Sequence, residues 1–73
     1  MTSITIQNRR DHQYLCAPGK WQARPDEALR FEHSVDAVRY CVREHLTDVA
    51  IVFAFENPKF NFAVRVASDH EAS

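Results

Sequence analysis

Two pairs of metal-ligating residues have a spacing that could serve a zinc site. Cys41 and His45 are four residues apart, which places both on one face of a helix, and His12 and Cys16 would share one face of a strand. Four such ligands could bind zinc tetrahedrally if their elements converge. Their order and spacing match no zinc-finger pattern, and a small buried Cys41 beside a helix-terminal His45 is the simpler interpretation. The sequence therefore predicts no bound metal and no cofactor.

The Cys41–His45 pair could also generate a nucleophilic thiolate. Cys41 lies on the apolar arc of the expected helix, where burial raises a thiol pKa, and no third group is evident to orient His45. Asp26 and Glu27 are adjacent carboxylates on a polar bend, where solvation is favoured over acid–base catalysis. A core this small is not expected to enclose a deep pocket. We therefore expect no enzymatic activity.

Length and composition limit the remaining classes of function. The chain has 73 residues, enough for one small domain with a thin margin of stability. Hydrophobic residues make up 45% and charged residues 26%, as in a folded globular domain, and a single glycine excludes phosphate-binding loops that need several. No apolar run is long enough to span a membrane, and the first five residues lack the pattern of a secretory signal. The two cysteines are expected to stay reduced in the cytoplasm.

Alternation of apolar and polar residues predicts an antiparallel sheet. Strands are expected, in chain order, over residues 4–8, 14–17, 29–31, 49–55 and 60–66. Pro18-Gly19 ends the second strand in a type II turn, because glycine tolerates the positive φ of the second central position. The last two strands, separated by a turn that contains Pro58, form the best hairpin in the sequence.

One helix is expected between the third and fourth strands. Ser34 can accept a hydrogen bond from a first-turn amide, and Thr47-Asp48 closes the helix. An apolar stripe at helical spacing is expected to pack on the sheet: Val35, Val38, Val42 and Leu46, widened by Ala37, Cys41 and His45. The fold class is therefore a single small α+β domain, roughly β-β-(β)-α-β-β, over residues 1–66, with one helix on one face of an antiparallel sheet. Residues 67–73 are expected to form a flexible C-terminal tail.

The second face of that sheet is the most informative feature for function. It carries small apolar residues where a half-solvated strand would carry polar ones: Ala50, Val52, Ala54 and Ala63. A chain with one helix has nothing left to cover this face, so the residues are expected to contact another protein or a second copy of the chain. Trp21 and Tyr14 are of the types that dominate interface energetics and are candidates for the same contact.

Nucleic-acid binding is the alternative. Arg9, Arg10, Arg39 and Arg43 could form a local basic stripe, although the net charge is −1 with neutral histidines. Acidic residues interleave with these arginines, which is typical of a solvated face of mixed charge.

Several short motifs give the chain a likeness to known proteins. The motifs are Tyr14-Leu15, Trp21, Glu27 to Phe31, and Ser34 to Ala37. In these the chain resembles small uncharacterised bacterial and phage proteins with a sheet and one helix. The resemblance implies that fold and no particular reaction. We therefore expect a cytoplasmic, non-enzymatic protein-interaction or regulatory module that binds another protein or itself and does not bind membranes.

Overall fold

The central strand of the sheet shows how the alternating pattern separates two faces. In β1 (Ser3–Asn8), Ile4 and Ile6 point toward the core, and Thr5 and Gln7 point to the opposite face. The computed structural model of the protein describes residues 2–66, so the tail expected over 67–73 lies outside the described residues.

Four further strands complete one sheet. They are β2 (Tyr14–Ala17), β3 (Lys20–Gln22), β4 (Val49–Ala54) and β5 (Phe62–Arg65). All neighbouring strands are antiparallel, in the order β3-β2-β1-β4-β5. The helix α1 (Ser34–Arg43) packs on β1 and β4. The expected α+β fold, with one helix on an antiparallel sheet, is confirmed.

The third strand is not where the sequence predicted it. Lys20–Gln22 forms β3, while the predicted strand over 29–31 is reduced to a bridge between Phe31 and Ile4. β2 pairs with β1 at its first residue, where Tyr14 lies opposite Gln7, and its register with β3 shifts between Leu15 and Ala17. The later segment bonds to both β1 and β2, since the Leu29 N–H donates to the Leu15 carbonyl (2.8 Å) and the Phe31 N–H to the Ile4 carbonyl (2.9 Å).

The helix is rotated away from the orientation that its valines predicted. The residues it buries are Ala37, Tyr40 and Cys41, which join strand residues in the core. The expected valine stripe is wrong as a core face, because it stays in solvent: Val35 is 52% exposed, Val38 39% and Val42 56%.

Two contacts account for this rotation. Ala37 is fully buried, and its small side chain lets the helix backbone lie close to the sheet. Tyr40 packs edge-to-face on Phe31, with ring centroids 5.7 Å apart, and this contact holds one flank of α1 against the β2 side of the core.

Both ends of the helix also differ from the expectation. Ser34 is the first helical residue rather than the cap, and His33 occupies the N-cap without a side-chain hydrogen bond. The helix ends at Arg43 because the chain reverses in a Schellman motif. The Leu46 N–H donates to the Cys41 carbonyl (2.9 Å) and the His45 N–H to the Val42 carbonyl (3.2 Å), with His45 at φ 55°. This reversal returns Leu46 to the core.

Candidate functional site

The exposed valines form one flank of α1. At about 100° per residue, Val35, Val38 and Val42 lie roughly 100–160° around the helix from Ala37. The opposite flank carries Tyr40, which contacts Phe31 on the β2 side of β1. The valine flank therefore lies on the side of α1 that is nearer β4 and β5, with Val38 directed sideways and Val35 and Val42 directed mostly away from the sheet.

The strand on that side presents apolar residues on the same face of the sheet. Phe62 pairs with Phe53 and Val64 pairs with Ile51, so both continue the core face of β4. Phe62 stacks on Phe53 with ring centroids 4.6 Å apart, yet it remains 51% exposed, and Val64 remains 50% exposed. Since α1 packs on β1 and β4, it leaves the face of β5 open.

The valine flank and the open strip of β5 therefore belong to one apolar surface on the helix-bearing side of the sheet. We name it the α1–β5 surface, and it consists of Val35, Val38, Val42, Phe62 and Val64. Phe60, which is 60% exposed, adjoins it just before β5. At about half exposure these side chains present roughly 400 Å² of apolar area, which is within the range of functional patches on small proteins.

The sequence pointed to the opposite face as the contact surface. The structure brings five of the six candidates to that face, with Ala50 buried, Val52, Ala54 and Tyr14 half-buried, and Ala63 exposed. Trp21 is separated from them. It pairs with Leu15 and packs against the core on the helix side of the sheet.

The second face is also partly covered, contrary to the expectation that nothing was left to cover it. The segment between β3 and α1 passes beside it and forms a groove of about 270 Å³. Its lining residues are Ser3, Thr5, Tyr14, Pro25, Asp26, Arg30, Val52, Ala54 and Asn61. Only residues 29–31 of this segment were expected to form a strand, and the return of the segment beside β1 could not be predicted from its composition.

The cysteine and histidine pairs do not converge on a metal site. Cys41 is buried on the core side of α1. Cys16 lies on β2, where its thiol donates to the Lys20 carbonyl (Sγ–O 3.5 Å). His12 and His45 are both exposed. Among residues 2–66 no group of three or more histidine, cysteine or acidic side chains is arranged to hold a metal ion. Burial raises the pKa of the Cys41 thiol, which disfavours the reactive thiolate.

The arginines of the nucleic-acid alternative are largely engaged with acidic side chains. Arg9 and Arg10 lie after β1 and both contact Asp48, at 3.2 and 3.7 Å. Arg43 contacts Glu44 at 3.5 Å, and its guanidinium lies over the Tyr40 ring. Arg39 is exposed on the polar side of α1. These contacts reduce the positive potential that a phosphate backbone would meet.

No protein-family model, curated protein or solved structure matches this chain. Within residues 2–66, α1 is ten residues long, and no helix has the length and apolar character needed to cross a bilayer.

Proposed function

We propose that this chain is a non-enzymatic protein-interaction module and that the α1–β5 surface is its contact surface. The observation that carries the proposal is that two apolar elements on the helix-bearing side of the sheet are exposed, the valine flank of α1 and the face of β5. Surfaces of this kind on small domains are where protein partners bind. This choice moves the expected interface from the small-residue face of the sheet to the helix face.

The chemistry of the surface favours a protein over the other ligand classes. It has no charged member, so it offers nothing to a phosphate backbone. It is also an open strip beside a helix rather than the enclosed, mostly apolar cleft that small ligands require. Its aromatic member Phe62 stacks against Phe53 on the neighbouring strand, which restricts the Phe62 ring and favours contact with a partner.

We also propose that the protein is cytoplasmic. The core contains a free buried thiol, Cys41, and Cys16 is also free. Reduced cysteines are the ordinary state in the cytoplasm, where this fold would be maintained without competing disulfide formation.

Site-specific photocrosslinking in cells tests the proposed function. The photoreactive p-benzoyl-phenylalanine is placed at position 62, on the proposed surface, or at position 63. Ala63 is the matched control, because it is the adjacent residue of the same strand, is also exposed, and points to the opposite face. We expect covalent protein adducts from position 62 in clear excess over position 63.

Two results would contradict the proposal. Equal adduct yields from the two positions would show that the helix face has no special role in binding. Adducts that disappear on nuclease treatment would instead favour nucleic-acid binding through Arg9, Arg10, Arg39 and Arg43. Circular dichroism of both substituted proteins checks that each retains the fold.

A further inference from the structure

The open half of the helix face has room for one more helix. A sheet of five strands is about 24 Å wide, and a helix with its side chains is about 10 Å wide. The single α-helix of residues 2–66 lies over β1 and β4, so a second helix would lie over β5 beside the valine flank. A helix that is apolar on the side facing α1 and β5 would fit this position.

The chain itself carries a helix surface of this kind. The flank formed by Val35, Val38 and Val42 lies outside the contact that α1 makes with its own sheet. Each copy thus has one spare apolar helix flank and one uncovered apolar strip. Such a pair of features is self-complementary, because a two-fold axis can place the flank of each copy on the strip of the other.

The dimensions of the two features agree. The Phe31–Ile4 bridge precedes α1 at one end of β1, and Asp48 follows α1 at the other end, where its carbonyl accepts from the Arg9 N–H (2.9 Å). The helix therefore runs along β1, and β5 runs in the same direction, because β4 is antiparallel to both strands. The flank from Val35 to Val42 spans about 10 Å, and the four residues of β5 span about 13 Å.

We infer that the partner on the α1–β5 surface is a second copy of this chain, in a two-fold dimer in which α1 of each copy covers β5 of the other. This inference rests on the proposed function, since it uses the same surface. Two helices would then lie side by side between two sheets, and the valines and phenylalanines would form a shared core.

The apolar area available approaches that of a standard dimer interface. A standard interface buries about 800 Å² per partner, of which about 65% is apolar in homodimers. The α1–β5 surface supplies roughly 400 Å² of apolar area per copy, which is most of that share. The chain has a net charge of −1, so electrostatic repulsion between two copies is weak.

Pairing of two β5 edges is a different dimer that the fold also permits. The Val66 N–H donates to the Val49 carbonyl, so by alternation the backbone groups of Ala63 point away from β4. Two β5 strands could pair through these groups. That arrangement would leave the valine flank of α1 in solvent, so it does not account for the exposed valines.

Light scattering coupled to size-exclusion chromatography tests the dimer with the purified full chain. We expect the wild-type protein to have twice the 8.5-kDa mass of one chain. Val42→Lys on the flank and Val64→Glu on the strip should each give a monomer. Thr47→Lys and Ala63→Glu are the matched controls, since they add the same charges at exposed positions outside the surface and should remain dimeric.

Mixing the two monomeric variants tests the reciprocal contact. In a mixed dimer, one contact brings the lysine introduced by Val42→Lys near the glutamate introduced by Val64→Glu, and the other contact is wild type. We expect dimer mass to reappear only in the mixture, and more strongly at low salt. Monomers in the mixture would overturn the proposed packing of helix on strip.

The remaining outcomes separate this inference from the proposed function. A wild-type chain that stays monomeric at about 0.1 mM overturns the dimer. The protein-interaction proposal would still stand if position 62 then crosslinks to a different protein. A dimer that survives Val42→Lys but is lost in Ala63→Pro would be the edge-paired form, which also overturns the inference.

Discussion

Substitutions at Ala37 and Val42 test the rotation of α1 on the sheet. Ala37 is fully buried against the sheet, so Ala37→Val inserts two methyl groups into filled space. Overpacking of a core costs about 1–3 kcal/mol, and a β-branched residue costs about 0.5 kcal/mol of helix propensity. We therefore expect Ala37→Val to lower the free energy of unfolding by about 2–3 kcal/mol.

Val42→Ala should have almost no effect by the same reasoning. Val42 is 56% exposed, so removing two methyl groups loses about half of their burial energy, roughly 0.7 kcal/mol. The gain in helix propensity offsets about 0.5 kcal/mol of this loss. If the valine stripe faced the core instead, Val42→Ala would cost about 2–3 kcal/mol and Ala37→Val would cost little.

Urea unfolding followed by circular dichroism measures both variants against the wild type. A 73-residue domain is expected to have about 4–11 kcal/mol of stability, so a loss of 2–3 kcal/mol clearly shifts the midpoint. The protein should be dilute enough to be monomeric, because dimerisation would add to apparent stability. A large loss for Val42→Ala together with a small one for Ala37→Val would refute the described orientation of the helix.

Three further outcomes are expected from single sites. His45→Gly should raise the melting temperature, because His45 holds a positive φ of 55° that costs about 1–2 kcal/mol without glycine; a lower melting temperature would contradict this origin of strain. Burial raises the pKa of Cys41 above its ordinary 9.0, so the free energy of unfolding should fall as pH rises above that value, where the unfolded chain loses the thiol proton first. Urea titrations between neutral and alkaline pH measure this fall, and Cys41→Ala should reduce it. Asn61→Ala should destabilise the β4–β5 hairpin by about 1–2 kcal/mol in urea unfolding, because the Asn61 Oδ1 accepts the Phe55 N–H at 2.7 Å; an unchanged midpoint would show that water replaces this bond.

The fold class followed from local patterns. Alternation in 49–55 and 60–66 predicted the β4–β5 hairpin, and the glycine at φ 73° confirms the turn expected at Pro18-Gly19. The position of the third strand did not follow, because it depends on the short pairing of β2 with β1 and on the later segment that bonds to Leu15 and Ile4. Such a contact between distant segments leaves no periodicity in the sequence.

The candidate site could be predicted only in part. The pattern showed that α1 has a wide apolar arc, but it could not show which side of that arc faces the sheet. That choice depends on how close the helix lies to the sheet at Ala37 and on the contact of Tyr40 with Phe31, both of which are tertiary. The larger valines were expected to pack in the core, but the smaller Ala37 and Cys41 are buried there instead.

Three exposed valines are an unfavourable choice for the solvent-facing side of α1. Valine disfavours a helix by about 0.5 kcal/mol relative to alanine, so three exposed valines cost about 1.5 kcal/mol without contributing much to the core. Solvent-facing helix positions are better filled by alanine, lysine or glutamate. In most folded domains the secondary-structure propensity of each residue agrees with its place in the tertiary structure. A residue that breaks this agreement points to a function. The conflict at Val35, Val38 and Val42 disappears if the flank is buried in an assembly, and the same assembly would cover the apolar strip on β5.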